Sequence, residues 1–273
     1  MNISHRYFDL EEFFSSASAS GYTCCELWTG AMHLYVDCHG YDSLEQVREL
    51  SQRYGVRIVG LCPEQNNPKP WNVAVRGEAG QKRILSYFKN VIDVAVELGA
   101  PQILVTSGWA YLDEPAEDAW ARSVAMLHSV CDYADTRGIR VALEALQPSE
   151  SVLVNTAQDV ARILEAVDRP NLKACIDFGA MEVAGDTIDG YFEVLGDKIV
   201  HTHFVDVGGG TTHLAWGDGE RDMRADLEAL MRHGYTGYAS AETCDGRYYQ
   251  DPSKATTQVI DMYRRVIAEM EAE

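Results

Sequence analysis

Four acidic or imidazole side chains stand in four short apolar runs, where together they could bind a divalent metal ion. They are Glu144 in VALEAL, Asp177 in LKACIDFG, His203 in KIVHTHFVD and Glu242 in GYASAETC. Three unpaired carboxylates in a poorly solvated site would be costly unless they were protonated or bound a cation. Three oxygen donors and one imidazole suit Mn²⁺, Mg²⁺ or Co²⁺, with Zn²⁺ as a further candidate, and of these we expect Mn²⁺.

Strand geometry predicts that these four side chains point to one place. Side chains alternate between the two faces of a strand, so Ile199, His201 and His203 would share a face. Each of the four follows, by two positions, another residue that would point inward; these are Ala142, Cys175, His201 and Ser240. Any one of the four could equally be a core ion pair or a helix cap, but four coincident strand ends favour one layer of ligands.

Two further titratable residues lie close to this set in the sequence. His201 would point inward one layer deeper than His203, so we expect a hydrogen-bonded core histidine rather than a metal ligand. Glu26, in CCELW, would either face the strand ends or pair with a neighbouring helix.

Short apolar runs alternate with helical periods along the chain. The strand-like runs begin with MNIS, CCELW (24–28) and RIVGLC (57–62), and continue through QILVTS and the four runs above. Apolar residues at helical spacing separate them, for example between 79 and 99. Eight such pairs predict an α/β fold, a (β/α)₈ TIM barrel formed by a single domain over residues 1–273. A doubly wound sheet is disfavoured because no Gly-rich phosphate motif is present.

Composition limits the partners of this chain. Forty-two acids against 23 bases give a net charge of −19, which disfavours nucleic acid and anionic membranes as partners. Seven cysteines without a CxxC pair indicate neither a disulfide framework nor a zinc knuckle. No signal peptide or membrane-length apolar run is evident, so we expect a cytoplasmic enzyme with a small-molecule substrate; a homo-oligomer is compatible with the sequence.

Motifs at ordered spacing along nearly the whole chain resemble those of the xylose-isomerase-like barrel superfamily, and within it the ketose 3-epimerases. The pattern is most similar to the fructoselysine 3-epimerase type. The motifs are ELWTG, LCPEQN, LEALQPSES, IDFGA, HTHFVD, THLAWGDGE and GYASAETC. The resemblance implies that Glu144, Asp177, His203 and Glu242 are metal ligands and that Glu144 and Glu242 are also the catalytic acid and base. It further implies that Glu150 contacts the substrate and orients Glu144.

The chain departs from the free-sugar epimerases at two positions. Their DxxH motif would place a histidine at Ala180, and their arginine six residues after the metal-binding histidine would fall at Gly209. Because both missing groups contact substrate in that family, recognition must differ here. We expect His213, held by the glycine-rich loop at 208–210, to replace them, with Trp109 and His5 as further substrate contacts.

The expected activity is metal-dependent inversion of C3 in a ketose or in a ketosamine of the fructoselysine/psicoselysine type. One glutamate would remove the C3 proton to give an enediolate, and the other would return a proton to the opposite face. Return to C1 would instead make the protein an aldose–ketose isomerase. An inosose-dehydratase-like lyase, a C-glycoside-cleaving subunit and a non-catalytic sugar-binding barrel remain alternatives. The related endonuclease IV is disfavoured, because it needs a basic surface and further ligands, one of which Ala180 replaces.

Overall fold

The computed structural model describes residues 1–65 and 70–273. Within these residues the main sheet has seven parallel strands in the order β1-β2-β3-β4-β5-β6-β9, which curve into a nearly closed barrel. The (β/α) barrel predicted from the sequence is therefore confirmed, with one strand fewer than expected. The strands are β1 Cys24–Trp28, β2 Arg57–Cys62, β3 Gln102–Thr106, β4 Arg140–Glu144, β5 Leu172–Asp177, β6 Ile199–His203 and β9 Tyr238–Ser240.

Helices follow the strands and cover the outside of the barrel. Their bounds in the described residues are α1 Leu10–Ser20, α2 Glu45–Tyr54, α3 Glu78–Leu98, α4 Ala116–Thr136, α5 Ala157–Val167, α6 Phe178–Ala184, α7 Ile188–Leu195, α8 Met223–Arg232 and α9 Pro252–Glu271. Glycines with positive φ end several of them, for example Gly21 after α1 and Gly99 after α3. The short helix α6 was not expected.

The N-terminal MNIS run was predicted as a strand, and this prediction is wrong. Asn2–His5 forms a 3₁₀-helix, but the side chain of Asn2 supplies strand-like hydrogen bonds. The N–H of Trp28 donates to Asn2 Oδ1 at 2.6 Å, and Asn2 Nδ2 donates to the carbonyl of Trp28 at 3.0 Å. The Met1 amine donates to the carbonyl of Ala241 at 3.1 Å. A side-chain amide has the same kinds of donor and acceptor as a peptide group. Asn2 therefore gives β1 a pair of strand-like hydrogen bonds at the place where an eighth strand was expected.

Two apolar clusters show which way the strand residues point. The larger core lies between strands and helices, whereas a smaller one fills the barrel and contains Trp28, Cys62, Leu104, Ala142 and Cys175. The inward orientation predicted for Ala142 and Cys175 is therefore confirmed.

The orientation predicted for Ile199 is wrong. Ile199 packs in the outer core, and Val200 packs on the interior cluster. The β5–β6 pairing skips from Ala174 opposite Ile199 to Cys175 opposite His201. Val200 is thus an extra residue that resets the alternation, as a β-bulge does.

A two-stranded hairpin follows β6. Its strands are β7 Asp206–Gly208 and β8 Thr211–Leu214, paired antiparallel. Gly209 and Gly210 form the turn with φ of 58° and 76°, a conformation that favours glycine at both turn positions. The glycines noted in the sequence thus make a tight hairpin rather than an open loop.

In the part of the chain that the structure describes, no helix is both long and apolar enough to cross a membrane. Asn66, the last residue of the LCPEQN motif, lies outside the described residues.

Candidate metal centre

The four predicted ligands meet around one imidazole nitrogen. Nδ1 of His203 lies 2.9 Å from Glu144 Oε2, 2.8 Å from Glu242 Oε2 and 3.5 Å from Asp177 Oδ2. One potential ligand atom from each of the four residues lies within 4.8 Å of the others. His203 is fully buried, and Asp177 and Glu144 are 3% and 8% exposed. The structure therefore brings together all four residues that the sequence singled out.

The strand register explains how they meet, and it differs from the flat layer that we expected. Glu144 pairs with Cys175 rather than with Asp177, while His203 pairs with both Asp177 and Ser240. Glu242 lies two residues beyond the end of β9. Strands of a barrel tilt against its axis, so residues offset in register can still converge. The cluster is thus a staggered rim at the carboxyl ends of the strands.

The hydrogen bonding of His203 shows that this cluster suits a cation. A single Nδ1–H cannot serve three carboxylate oxygens, and neither ring nitrogen has a partner in hydrogen-bonding geometry among the described residues. Buried polar atoms are normally paired, so such a group calls for an explanation, and a bound ion is a common one. Three oxygen donors and one nitrogen donor fit a divalent metal ion.

The ionisation of the cluster is uneven. Burial raises the pKa of Glu144 to about 7, although His203 opposes the shift. Burial alone would raise the pKa of Glu242 and of Asp177, but the nearby imidazoles outweigh it. His203 makes the largest contribution at Glu242, whose pKa falls to about 2. His213 makes the largest contribution at Asp177, whose pKa falls below its usual range. Burial lowers the pKa of His203, yet Glu242 and its neighbours raise it well above the ordinary value. The two glutamates therefore differ in protonation near neutral pH.

A second imidazole, that of His213, contacts two of the same carboxylates. Its Nε2 lies 3.2 Å from Asp177 Oδ2 and 3.5 Å from Glu242 Oε2. Gly179 makes room for it, since a Cβ on Gly179 would lie 3.0 Å from Cε1 of His213. A side chain at position 179 would therefore require His213 to shift by a few tenths of an ångström.

The hairpin that carries His213 is joined to the loop after β4. His213 Nδ1 lies 2.9 Å from the Thr212 hydroxyl, which accepts a hydrogen bond from Gln147 Nε2 at 3.1 Å. The backbone N–H of Gln147 donates to Glu150 Oε2 at 3.0 Å. Burial raises the pKa of Glu150. Glu150 and His213, both predicted to contact substrate, thus belong to one hydrogen-bonded wall beside the cluster.

The other two predicted substrate contacts are placed differently. Trp109 lies three residues beyond the end of β3 and is half-buried. The side chain of Asn72 binds the backbone N–H and the carbonyl of Trp109, and the indole ring of Trp109 packs on Tyr111. His5 is fully buried, packs edge-on against Phe13 and lies 3.1 Å from the Ser4 hydroxyl. None of the contacts described for His5 joins it to the four clustered residues.

Sequence reasoning left Glu26 without a role, and the structure gives it a central position beneath the cluster. Glu26 is 2% exposed, and its Oε2 lies 3.1 Å from His201 Nε2 and 3.3 Å from His203 Nε2. His201 is the hydrogen-bonded core histidine that we expected, since Gln102 Nε2 binds its Nδ1 at 3.0 Å. The sequence left open whether Glu26 faces the strand ends or a neighbouring helix, and its two partners, which lie on another strand, could not be inferred.

The fold and this cluster define a TIM-barrel protein with a site suited to a divalent metal. Residues 14–266 match the xylose isomerase-like TIM barrel family model. The chain is 31% identical over 268 residues to the fructoselysine 3-epimerase of Shigella flexneri, covering 98% of this chain and 96% of that protein. The chain therefore belongs to the xylose isomerase-like TIM barrel family. The predicted relationship to sugar epimerases, enzymes of the isomerase class, is confirmed.

Two solved structures share the fold. L-ribulose 3-epimerase superposes with a TM-score of 0.79 at 18% identity, covering 96% of this chain and 90% of its own. The IOLI protein with a bound zinc atom superposes with a TM-score of 0.78 at 21% identity, covering 98% and 96%. At these identities the likeness establishes the architecture alone.

Proposed function

We propose that the protein is a divalent-metal-dependent epimerase that inverts C3 of a ketose or ketosamine. The observation that carries the proposal is the convergence of Glu144 and Glu242, from separate strands, on the nitrogen that also faces Asp177. Glu144, Asp177, His203 and Glu242 would hold the ion, for which Mn²⁺ is our first choice. The ion would supply Lewis acidity, which acidifies the C3 proton beside a C2 carbonyl.

The two glutamates would carry the proton. Before the ion binds, the pKa of Glu144 is about 7 and that of Glu242 is about 2, so Glu144 is the more basic of the two. Two carboxylates of unequal basicity on separate strands suit proton removal by one and proton return by the other. Return to the face opposite to the one that lost the proton inverts C3. Glu150, His213 and Trp109 would bind and orient the sugar.

We propose a ketosamine such as fructoselysine as the substrate. Support comes from the relative in Shigella flexneri and from the absence of the histidine and arginine that Ala180 and Gly209 replace. Without those groups a free ketose would leave hydroxyls unpaired, and each costs about 1–3 kcal/mol. A substituent on C1 would offer additional binding contacts. The chain's charge of −19 would also not repel its cationic amine.

The reaction is tested by following solvent hydrogen into the product. Turnover in heavy water should place deuterium at C3 and none at C1. Label at C1 would make the protein an aldose–ketose isomerase. Chelation should abolish turnover and added Mn²⁺ should restore it, whereas full activity in a verified metal-free sample would remove the metal from the proposal.

The substrate is tested by comparing kcat/KM for fructoselysine, fructose, tagatose and inosose at one Mn²⁺ concentration. Fructoselysine should be preferred. A free ketose preferred by about tenfold, or about 1.4 kcal/mol of transition-state stabilisation, would overturn the ketosamine and keep the epimerase chemistry. Turnover of inosose alone would overturn both and favour the lyase alternative.

A further inference from the structure

We propose that Glu26 is a positioning residue, which holds the ring of His203 so that Nδ1 faces the metal ion. The inference rests on the metal site proposed above and adds a residue outside its ligand set. Glu26 lies on β1, a strand that carries none of the four clustered residues.

One oxygen of Glu26 contacts both histidines of β6. Oε2 lies 3.1 Å from His201 Nε2 and 3.3 Å from His203 Nε2, and both imidazoles are fully buried. Within the described residues, Glu26 is the carboxylate on the Nε2 side of His203, while the other three gather at Nδ1. The two sides of one ring thus meet different partners.

The arrangement determines which nitrogen of His203 is free to bind a metal. A proton on Nε2 is attracted to Glu26, so the lone pair of a neutral ring lies on Nδ1, towards Glu144, Asp177 and Glu242. A carboxylate on the far nitrogen of a metal-binding histidine orients the ring and makes it a better donor. His201 keeps Glu26 in place, because Gln102 donates to its Nδ1 at 3.0 Å and directs the proton of a neutral His201 to Nε2.

Glu26 also lines a cavity whose wall includes residues of β1 and β9. Oε1 has no hydrogen-bond partner among the described residues, and neither does the Ser240 hydroxyl. Both side chains line a cavity of about 90 Å³ together with His201 and apolar residues such as Phe13 and Val259. Water fits a cavity of this size with polar groups in its wall. Of the two carboxylate oxygens of Glu26, Oε2 is the one that contacts the histidines.

The alternative is that Glu26 is an ordinary buried ion pair that only stabilises the barrel. Such a role would change the unfolding midpoint but would leave the coordination of a bound ion unaltered. Co²⁺ separates the two, because its visible absorption reports the ligand geometry at the ion itself. It also suits an oxygen-and-nitrogen donor set.

The experiment titrates Co²⁺ alone into the full-length protein and into Glu26→Gln, which keeps the shape of the side chain and removes its charge. Co²⁺ affinity should fall by about 10- to 100-fold, and the visible spectrum of the Co²⁺-saturated variant should differ from that of the parent. Glu114→Gln is the matched control: it removes the charge of a largely buried carboxylate that pairs with Arg76 and Arg122 rather than with a histidine, and should leave affinity and spectrum near those of the parent. Circular dichroism shows whether each variant is folded.

Glu26→Asp provides a second measurement if Glu26→Gln does not fold. It keeps the charge but withdraws it from both histidines, and should give a smaller loss of Co²⁺ affinity with the same direction of spectral change. A folded Glu26 variant that binds Co²⁺ as tightly as the parent with an unchanged spectrum would overturn the inference, as would an equal loss in Glu114→Gln. If the parent itself did not bind Co²⁺, the metal site of the proposed function would be at fault.

Discussion

His201 and His203 are neighbours on one face of β6, and their surroundings differ. Both are fully buried, with ring centroids 5.6 Å apart. His201 has a partner on each nitrogen, Gln102 at 3.0 Å and Glu26 at 3.1 Å. His203 has three carboxylates crowded around one nitrogen, and among the described residues neither nitrogen has a partner in hydrogen-bonding geometry.

The contrast shows that burial does not by itself identify a metal-binding histidine. A histidine whose two nitrogens are each satisfied by one neighbour has no need of a ligand, and it serves as part of the core. Several carboxylates gathered around one buried imidazole carry more negative charge than that imidazole can neutralise. The two residues therefore serve as an internal pair for testing the site.

The largest effect should come from the glutamates that surround His203. Glu144→Gln and Glu242→Gln should each lower kcat by about 10³-fold, because an amide cannot shuttle a proton. Metal should remain bound, since an amide oxygen still coordinates. Initial rates measure kcat, and elemental analysis measures the bound metal. Glu165→Gln, on the exposed face of α5, is the matched control and should behave as the parent. A glutamine variant that keeps a tenth of the parental kcat would exclude that residue as acid or base.

The two histidines should respond in opposite ways to the same substitution. His203→Ala should weaken Co²⁺ binding by about 100-fold or more, because it removes the nitrogen donor of the cluster. His201→Ala should weaken it far less, but should lower the free energy of unfolding by about 2–4 kcal/mol because Glu26 and Gln102 lose their partner. Co²⁺ titration and denaturant unfolding measure the two effects. Equal loss of Co²⁺ affinity in both variants would contradict the assignment of His203 as a metal ligand and of His201 as a core histidine.

The smallest effect concerns the protons released when the ion binds. With a pKa of about 7, Glu144 is protonated at pH 6 and ionised at pH 8, and it must be ionised to bind a metal. Metal affinity should therefore fall as the pH falls, and about 0.8 proton more should be released per ion at pH 6 than at pH 8. Calorimetry in two buffers of different ionisation enthalpy counts these protons. In Glu144→Gln the difference in proton release between pH 6 and pH 8 should disappear. If that difference persisted in the variant, the proton would come from another group.

Much of the fold followed from the sequence, because it depends on local rules. Helical spacing between 79 and 99 predicted the helix that the structure shows as α3. Alternation predicted that Ala142 and Cys175 point into the barrel. The exceptions were a single extra residue, Val200, which reversed the face of Ile199, and the MNIS segment, whose strand-like bonds come from one side chain.

The sequence by itself determined which residues could form the site: Glu144, Asp177, His203 and Glu242 stand at strand ends, where the pleat directs them inward. Only the tertiary structure decided how they meet and what supports them. The offset register of tilted strands brings them to one nitrogen, the hairpin carries His213 over Gly179, and Glu26 reaches β6 from β1. The period of a strand sets the face on which a residue lies. Its contacts across the barrel depend on strand tilt and on loops, which no local pattern encodes.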